Sequence, residues 1–405
     1  MRIGEFAKIH NVTHDTIRHY MQMGLLVTKK KGSHYNFTDK DSRDMKKILE
    51  LRELNFSLSD IQKILSYQRL AGASTAYRNH YLSYLEEKEK EIIREQKEHE
   101  KMLSFLKFKI NSLKTMEGIK SKKLGLPMTA VELLHCPKCG ESLSVFGGSI
   151  EENMIIDANI HCKCSYNAII KDGIYIDKNA IRKRKLSGEP MPSKKEYLDK
   201  TPTNFINFYY NGMALIMDSI NKHGRQAKYI LEIENCVGSF LMQYIKDLPE
   251  DCTYILSDYD IEKIRTLKEE LETYHKHRNF IFLCCNLHEL PLGNDALDMI
   301  IEFWYTRIFL VENEEPPLAL ARKHLKEGGL VLGAYPYFIN ANYDMEDTLP
   351  KIRQYMNREN LLREFKNLGL KELETSNIGP IREPSPYAPD IDNKEICQLI
   401  YTGTG

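Results

Sequence analysis

The stretch from Arg78 to Leu113 contains neither proline nor glycine, and it constrains the fold of this 405-residue chain more than any other feature. Leucine and isoleucine recur in it at alternating intervals of three and four residues, which places them on one seam of a long helix. The apolar seam positions are Leu82, Leu85, Ile92, Leu103, Leu106, Ile110 and Leu113. A coiled coil that joins two copies of the chain is the predicted structure; the alternative is a long amphipathic helix packed on its own domain.

Polar residues interrupt this seam at its centre, at Glu89, Gln96 and His99. The helices should therefore pair most weakly there, since polar seam positions set register and partner number at a cost in stability. We assign residues 76–118 to the dimerisation helix. A chain of 405 residues is too long for one ordinary core, so further domains are expected.

Two short helices joined by a tight turn are predicted in "RIGEFAKIHNVTHDTIRHYMQMGLL", where apolar residues recur at helical spacing. Thr13 can cap the second helix, which should end near Gly24. The segment "VTKKKGSHYNFTDKD" has β-favouring residues around a basic Gly-Ser turn and predicts a hairpin. Helices over Asp39–Leu54 and Ser57–Leu65 follow and complete a winged helix-turn-helix domain over residues 1–75.

Charge is balanced over the whole chain, with 57 basic and 57 acidic residues, and therefore predicts neither a nucleic-acid nor a membrane partner. Residues 1–50 are locally basic, with ten Lys or Arg and four His against six acidic residues. The sequence shows neither an N-terminal basic-then-apolar signal nor a run of about eighteen apolar residues. We therefore expect a cytoplasmic protein without a membrane partner.

Four pieces of the N-terminal region resemble the MerR family of bacterial regulators and occur in family order. They are the two-helix opening, "RHY" before "GLL", the wing "KKKGSHYNFTDKD", and "LRELNFSLSDIQKIL". The resemblance implies a homodimer on a roughly palindromic promoter site, where it acts on RNA polymerase. It also implies that a small molecule or metal bound beyond the coiled coil changes how the regulator distorts promoter DNA.

The predicted DNA contacts divide into phosphate contacts and base contacts. Cationic side chains and tyrosine hydroxyls suit backbone phosphates, whereas the first turn of the second helix suits base edges in the major groove. The residues assigned to phosphates are Arg18, Tyr20, Lys29, Lys30, Lys31 and Tyr35. The residues assigned to base edges are Thr13, His14, Asp15 and Thr16. The alternative is that Arg18 and Tyr20 only pack on or hydrate the helix, and that the lysines form a solvated turn.

Four cysteines in "HCPKCGESL" and "HCKCSYNAIIKDGIYI" have the spacing of a metal site. Cys136 and Cys139 form a Cys-x2-Cys knuckle, and Cys162 and Cys164 form a tighter Cys-x-Cys knuckle. Four thiolates on two β-hairpins can close a tetrahedron around zinc. We predict a structural zinc ribbon over residues 128–178; a redox or metal-sensing site and unligated core thiols are the alternatives.

Strand and helix candidates alternate over residues 190–405, which predicts a doubly wound α/β domain. The segments "YILEIENCVGSF" for strand one, "NLHELPLGNDALDMII" for strands three and four, and "HLKEGGLVLGAYP" for strand five resemble class I S-adenosylmethionine methyltransferases. A zinc ribbon before such a domain is similar to the 23S ribosomal RNA guanine methyltransferases. The predicted fold is therefore multidomain, α plus α/β: a winged helix-turn-helix, a dimerisation helix, a small β ribbon and a Rossmann-like methyltransferase-type domain.

The glycine motif of that domain departs from the family pattern. A Gly-x-Gly-x-Gly turn lets the backbone approach the cofactor, but here larger residues, among them Glu234, stand before a single Gly238. Asp258 can still hold ribose hydroxyls, whereas Asn286 stands where the family commonly has aspartate. We predict that the crevice binds a small-molecule effector without turnover. The predicted lining residues are Glu232, Glu234, Gly238, Asp258 and Asn286.

Three hypotheses stay open for this domain: a ligand sensor derived from a methyltransferase fold, an active S-adenosylmethionine-dependent methyltransferase fused to its own regulator, and a structural appendage. No catalytic residue is assigned. The aromatic stretches "NFYYNG" and "EFWYTRIF", with Trp304, can line a pocket for an apolar or aromatic ligand or belong to the core.

Overall fold

The computed structural model describes residues 1–31, 34–72, 74–116, 123–178, 194–233, 238–274, 279–339, 350–383 and 394–405. The chain forms two compact units, Met1–Gly118 and Ile119–Gly405. The first unit is helical with one small hairpin, and the second is built on one large sheet. Among the described residues, no helix is both long enough and apolar enough to span a bilayer.

Four helices and a hairpin form the body of the first unit. They are α1 (Ile3–His10), α2 (His14–Gln22), β1 (Lys29–Lys31), β2 (His34–Asn36), α3 (Asp39–Glu53) and α4 (Leu58–Ala71). The side chain of Thr13 caps α2 by accepting a hydrogen bond from the N–H of Thr16 at 3.1 Å, and Gly24 turns the chain with a φ of 70°. Antiparallel pairing of β1 with β2 forms the predicted wing. Helix α4 extends past the predicted end at Leu65 and stops at Gly72, whose φ is 60°.

A single long helix, α5 (Thr75–Met116), completes the first unit. Its first turns pack on the core of the unit through the half-buried Tyr81, Tyr84 and Leu85. From Ile92 to Thr115, every side chain except that of Ser112 is exposed. The apolar seam in this half of the helix therefore has no packing partner among the described residues.

Within its described residues, the second unit contains a sheet of twelve strands. Their bounds are β3 (Leu126–Pro127), β4 (Ser144–Glu151), β5 (Met154–His161), β6 (Asn167–Lys171), β7 (Ile174–Asp177), β8 (Tyr229–Ile233), β9 (Thr253–Asp258), β10 (Asn279–Cys284), β11 (Leu297–Phe303), β12 (Leu325–Phe338), β13 (Lys371–Ile381) and β14 (Ile396–Thr404). Their order in the sheet is β13-β14-β12-β11-β8-β9-β10-β7-β6-β5-β3, and β4 pairs with β5.

Five neighbouring strands, β10, β9, β8, β11 and β12, are parallel, and β14 runs antiparallel between β12 and β13. After β8 the chain adds β9 and then β10 on one side of β8. It then returns and adds β11 and β12 on the other side. The winding direction therefore reverses between β8 and β11. Open α/β sheets bind ligands outside the carboxyl ends of the strands at such a reversal.

Helices connect these strands and cover the sheet. They are α6 (Lys194–Lys200), α7 (Thr203–His223), α8 (Ser239–Tyr244), α9 (Ile261–Tyr274), α10 (Thr306–Phe309), α11 (Pro317–Ala321), α12 (Pro350–Tyr355) and α13 (Arg358–Asn367). Short 3-10 helices occupy Met128–Leu133, Leu287–Glu289 and Arg322–His324. Buried apolar side chains form two large clusters in this unit, both of which include residues of the central parallel strands.

The sequence resemblance placed the third strand of the α/β region in the segment "NLHELPLGN". In the structure this strand lies earlier in the chain. It is Asn279–Cys284, while Leu287–Glu289 forms a 3-10 helix and the following residues form a loop. The β-branched and aromatic residues of "NFIFLC" suit a buried strand better than a segment containing Pro291 and Gly293.

The ribbon continues the α/β sheet. Its last strand, β7, pairs in parallel with β10, with Ile174 opposite Phe282 and Ile176 opposite Cys284. Ribbon residues such as Ile160 belong to the same apolar cluster as Leu283 of β10. Packing on the α/β region therefore stabilises the ribbon.

Candidate functional site

The exposed start of helix α2 carries the residues that sequence analysis assigned to base edges. Thr13, His14 and Asp15 are exposed, and Thr16 is half-buried, with its hydroxyl 2.8 Å from that of Thr13. Arg18 is also exposed and lies 3.0 Å from the Asp15 carboxylate. An exposed ion pair of this kind is weak, so Arg18 can exchange it for a phosphate at little cost.

The wing contributes a second basic surface in the same unit. Lys29 and Lys30 are exposed, and the Lys30 ammonium lies 5.2 Å from the centre of the Tyr35 ring. Lys31 pairs with His34 through the backbone of the hairpin. Tyr20 differs from these residues, because only 8% of it is exposed and it packs in the core formed by α1 to α4. Its assignment to phosphates stays a prediction.

The four predicted metal ligands converge at one place. The Sγ atoms of Cys136, Cys139, Cys162 and Cys164 lie within 4.8 Å of one another. Cys136 and Cys164 are 3.5 Å apart, and Cys139 and Cys162 are 3.4 Å apart. A tetrahedral site with Zn–S distances of about 2.3 Å places its sulfurs about 3.8 Å apart, so this donor set fits zinc.

Backbone geometry favours the thiolate at one of these four cysteines. The backbone N–H of Tyr166 lowers the pKa of Cys164 to about 7. Turns at Gly140 and Ser165, with φ of 77° and 71°, direct the chain around the knuckles. Among the described residues, this is the one cluster of cysteine, histidine or carboxylate side chains with the spacing of a metal site.

The predicted ligand crevice lies at the carboxyl ends of β8 and β9. Glu232 of β8 is buried and accepts a hydrogen bond from the Tyr254 hydroxyl. Glu234 falls outside the described residues. Gly238 precedes α8 with a φ of 70°, and a Cβ at this position would lie 2.5 Å from Leu267 Cδ1. The left-handed backbone therefore favours glycine at this position, and a larger residue would also require the Leu267 side chain to move.

Two further predicted residues lie at or just after the ends of the neighbouring strands. Asp258 ends β9, and burial raises its pKa to about 6 although Lys263 lies 3.8 Å away and the Asp260 N–H donates a hydrogen bond at 2.8 Å. Asn286 follows β10 and is half-buried. The topology thus brings Glu232, Gly238, Asp258 and Asn286 to one edge of the sheet.

A carboxyl group that the sequence patterns did not indicate lies at the same edge. Glu302, near the end of β11, is fully buried beside Ile233 of β8, and burial raises its pKa to about 7. Thr306 donates a hydrogen bond to it. The available signal was an acidic residue inside the apolar strand pattern "LDMIIEFW", which is uncommon unless the carboxyl has a specific role.

Comparison with known proteins finds relatives of the N-terminal part of the first unit. Residues 1–68 match the family model described as MerR HTH family regulatory protein. Over 67 residues, 16% of this chain and 48% of the relative, the sequence is 39% identical to the HTH-type transcriptional regulator ZntR of Escherichia coli (strain K12). Residues 1–68 are a MerR helix-turn-helix domain.

A second relative extends the match beyond this MerR domain. The HTH-type transcriptional regulator HmrR of Sinorhizobium medicae (strain WSM419) is 30% identical over 95 residues, 23% of this chain and 65% of the relative. The matched region therefore spans about half the length of ZntR and about two thirds of HmrR. Residues 1–68, which match the family model, contain helix α2 and the wing strands β1 and β2.

Solved methyltransferase structures are similar to about half of the chain. A SAM dependent methyltransferase from Aquifex aeolicus is 11% identical and covers 53% of this chain and 100% of its own at a TM-score of 0.35. The geranyl diphosphate C-methyltransferase from Streptomyces coelicolor A3(2) is 12% identical and covers 55% and 89% at a TM-score of 0.38. The large mixed sheet of the second unit has five central parallel strands, and helices lie in its connections.

Proposed function

We propose that this protein is a cytoplasmic transcription regulator that binds promoter DNA as a homodimer and responds to a small molecule. The observation that carries the proposal is the exposed basic surface of the MerR domain. Arg18 and the wing residues Lys29 and Lys30 offer cations for phosphates, while His14 and Asp15 occupy the first turn of α2. This is the arrangement that helix-turn-helix proteins use to read the major groove.

Dimerisation through α5 completes this proposal. The exposed seam includes Leu103, Leu106 and Leu113, which are between 52% and 64% exposed. An apolar stripe of that length in water favours pairing with an identical stripe. Two recognition helices held at a fixed spacing would then read two half-sites of a palindrome. Action on RNA polymerase would follow from distortion of the promoter between the half-sites.

Zinc binding at the cysteine cluster is the second element of the proposal. Four thiolates leave no coordination position for a substrate, which favours a structural role over a catalytic one. The metal would fix the two knuckles of the ribbon beside β10. Redox or metal sensing at this cluster is the alternative function.

The second unit is proposed to be the effector domain. Its crevice fits S-adenosylmethionine only in part: Asp258 offers a carboxylate for ribose hydroxyls, but Asn286 stands where methyltransferases commonly have aspartate, and Gly238 is the one glycine of the turn. We therefore propose binding of a small molecule without turnover. An active methyltransferase fused to its regulator is the alternative, supported by the methyltransferase-like sheet.

Selection from a pool of randomised duplexes tests the DNA-binding function directly. The full-length protein is expected to enrich palindromic sites and to bind them about a thousandfold more tightly than scrambled duplexes at physiological salt.

A matched pair of variants tests the dimer: Leu106→Glu places a charge on the seam, and Lys107→Glu places one beside it. Sedimentation should show a monomer for the first only, and a wild-type monomer at micromolar concentration would contradict the proposal.

Calorimetry separates the effector from the enzyme. The full chain is titrated with S-adenosylmethionine and with S-adenosylhomocysteine, and methyl transfer is then assayed on RNA and small amines. Weak or no binding without transfer agrees with the effector role. Tight binding with turnover would contradict that role and establish the methyltransferase.

A further inference from the structure

The C-terminal end of α4 contacts the turn that follows helix α2. The guanidinium of Arg69 donates a hydrogen bond to the backbone carbonyl of Gly24 at 2.8 Å and another to that of Leu25. Both residues belong to the turn directly after α2, which ends at Gln22. Arg69 therefore connects α4 to the end of the helix that carries the proposed base contacts.

The same guanidinium pairs with α3. Arg69 Nη2 lies 3.0 Å from the Asp44 carboxylate, and only 21% of the arginine side chain and 17% of the aspartate side chain are exposed. An ion pair that is shielded in this way is screened less by solvent than one at the surface. Because the planar guanidinium presents its donors in a rigid fork, Arg69 fixes the α2 turn, α3 and α4 relative to one another.

The neighbouring residue Gln68 connects α4 to α3 and α5. Its Oε1 atom accepts hydrogen bonds from the Lys47 ammonium of α3 at 3.1 Å and from the Tyr77 hydroxyl of α5 at 3.2 Å. Lys47 also donates to the Tyr77 hydroxyl, and its ammonium lies 4.8 Å and 4.2 Å from the centres of the Tyr77 and Tyr81 rings. Through Gln68 and Arg69, polar contacts thus connect the α2 turn to the first turns of α5.

Gln68 and Arg69, which we call the α4 joint, make contacts that depend on direction. The apolar packing of α5 on the core tolerates small rotations because the hydrophobic effect is non-directional, whereas hydrogen bonds weaken steeply when their angles change. In a dimer joined through α5, the angle between α5 and α2 sets the separation and rotation of the two α2 helices on DNA. We propose that the α4 joint determines which half-site spacing this regulator accepts.

The dependence of affinity on half-site spacing distinguishes this role from a purely structural one. The inference rests on the proposed homodimer on palindromic DNA. One extra base pair moves the half-sites apart by about 3.4 Å and rotates one against the other by about 35°. A rigid joint penalises that change, and a loosened joint accommodates it. Simple destabilisation of the fold instead lowers the affinity for every spacing by the same factor.

Binding to duplexes of altered spacing tests the inference. The selected palindrome is synthesised with one or two base pairs removed from or added between its half-sites, and the full-length protein is titrated against each duplex by anisotropy. Wild type should bind the best spacing about tenfold more tightly than the neighbouring spacings. Arg69→Lys keeps the charge but loses the fork, and Tyr77→Phe keeps the ring but loses the hydroxyl. Each should reduce that ratio to about threefold or less.

Arg52 offers the matched control within the same domain. This residue of α3 also donates a hydrogen bond to a backbone carbonyl, that of Phe56 at 2.9 Å, but it lies outside the α4 joint. Arg52→Lys should therefore keep the wild-type ratio between spacings. Thermal unfolding of all three variants reports any loss of stability separately from the spacing preference.

The outcomes distinguish this inference from the regulator proposal. A sharp spacing preference in wild type that Arg69→Lys and Tyr77→Phe both retain would overturn the role of the joint alone. Equal loss of affinity at every spacing would also overturn it, because the contacts would then only stabilise the fold. Wild-type protein that prefers no palindrome would reject the regulator proposal and this inference together.

Discussion

The Lys268 ammonium lies 2.5 Å from the Glu272 carboxylate, one turn along α9, and the same carboxylate oxygen accepts a hydrogen bond from the backbone N–H of Leu124 at 2.8 Å. Asp172, in the turn between β6 and β7, lies 3.8 Å from the same ammonium. Only 2% of Lys268 is exposed. This charge cluster, which is buried at Lys268, joins α9 to the ribbon and to the segment where the chain begins the second unit.

Removal of one charge from this cluster should destabilise the second unit strongly. Lys268→Met leaves the Glu272 carboxylate without its cation, and breaking a buried pair in this way costs about 3 to 5 kcal/mol. Urea unfolding followed by the emission of Trp304 measures the effect in this unit. The control is Lys200→Met, which removes an exposed pair with Glu196 and should cost less than about 1 kcal/mol. Equal losses for both variants would contradict the prediction.

Local patterns were sufficient to predict the first unit from the sequence. The cap at Thr13, the turn at Gly24 and the basic hairpin each depend on residues close in the chain, and the structure has all three. The long helix followed from a run without glycine or proline. The surface that packs on this helix could not be predicted, because an apolar seam shows which face of a helix is to be covered but not what covers it.

These local patterns could not predict which distant strands pair with each other. Nothing in "YNAIIKDGIYI" indicates that Ile174 will pair with Phe282, more than a hundred residues later, because an apolar strand is compatible with many neighbours. Glu302 was missed for a related reason. Its carboxyl is significant only because the sheet places it beside β8 at the reversal of strand order, and a single acidic residue in a strand pattern does not reveal that position.

Loss of the metal should unfold the ribbon part of the second unit. We expect one zinc per chain by elemental analysis of protein purified without chelator, and a lower melting temperature after chelation. Cys136→Ser should lose the metal, because three thiolates bind zinc more weakly than four. Cys252→Ser, at a buried cysteine outside the cluster, should retain it. Zinc-free wild-type protein would contradict this prediction.

Arg18 and His14 should affect DNA binding in different ways. Arg18→Ala should weaken binding to specific and random duplexes alike and reduce the salt slope by about 1, because one phosphate contact is lost. His14→Ala should lower affinity for the selected site while random binding is retained. Anisotropy titrations at several salt concentrations measure both effects. Arg2→Ala, outside the assigned contact residues, is the charge-matched control, and identical losses for the Arg18 and His14 variants would reject the assignment.

The buried carboxyl of Asp258 should make the stability of the second unit fall as pH rises. Its pKa is about 6 in the folded protein against an ordinary value of 3.8, so the folded state binds the proton more tightly than the unfolded state. The destabilisation is absent below about pH 4, grows between about pH 4 and pH 6, and reaches about 3 kcal/mol above that range. Asp258→Asn removes the titrating group. In urea unfolding, the free energy of unfolding of this variant should therefore rise relative to that of wild type over this pH interval. For the control Asp251→Asn, at an exposed residue, the plot of unfolding free energy against pH should run parallel to that of wild type. A parallel plot for Asp258→Asn as well would show that burial of the Asp258 carboxyl has no such cost.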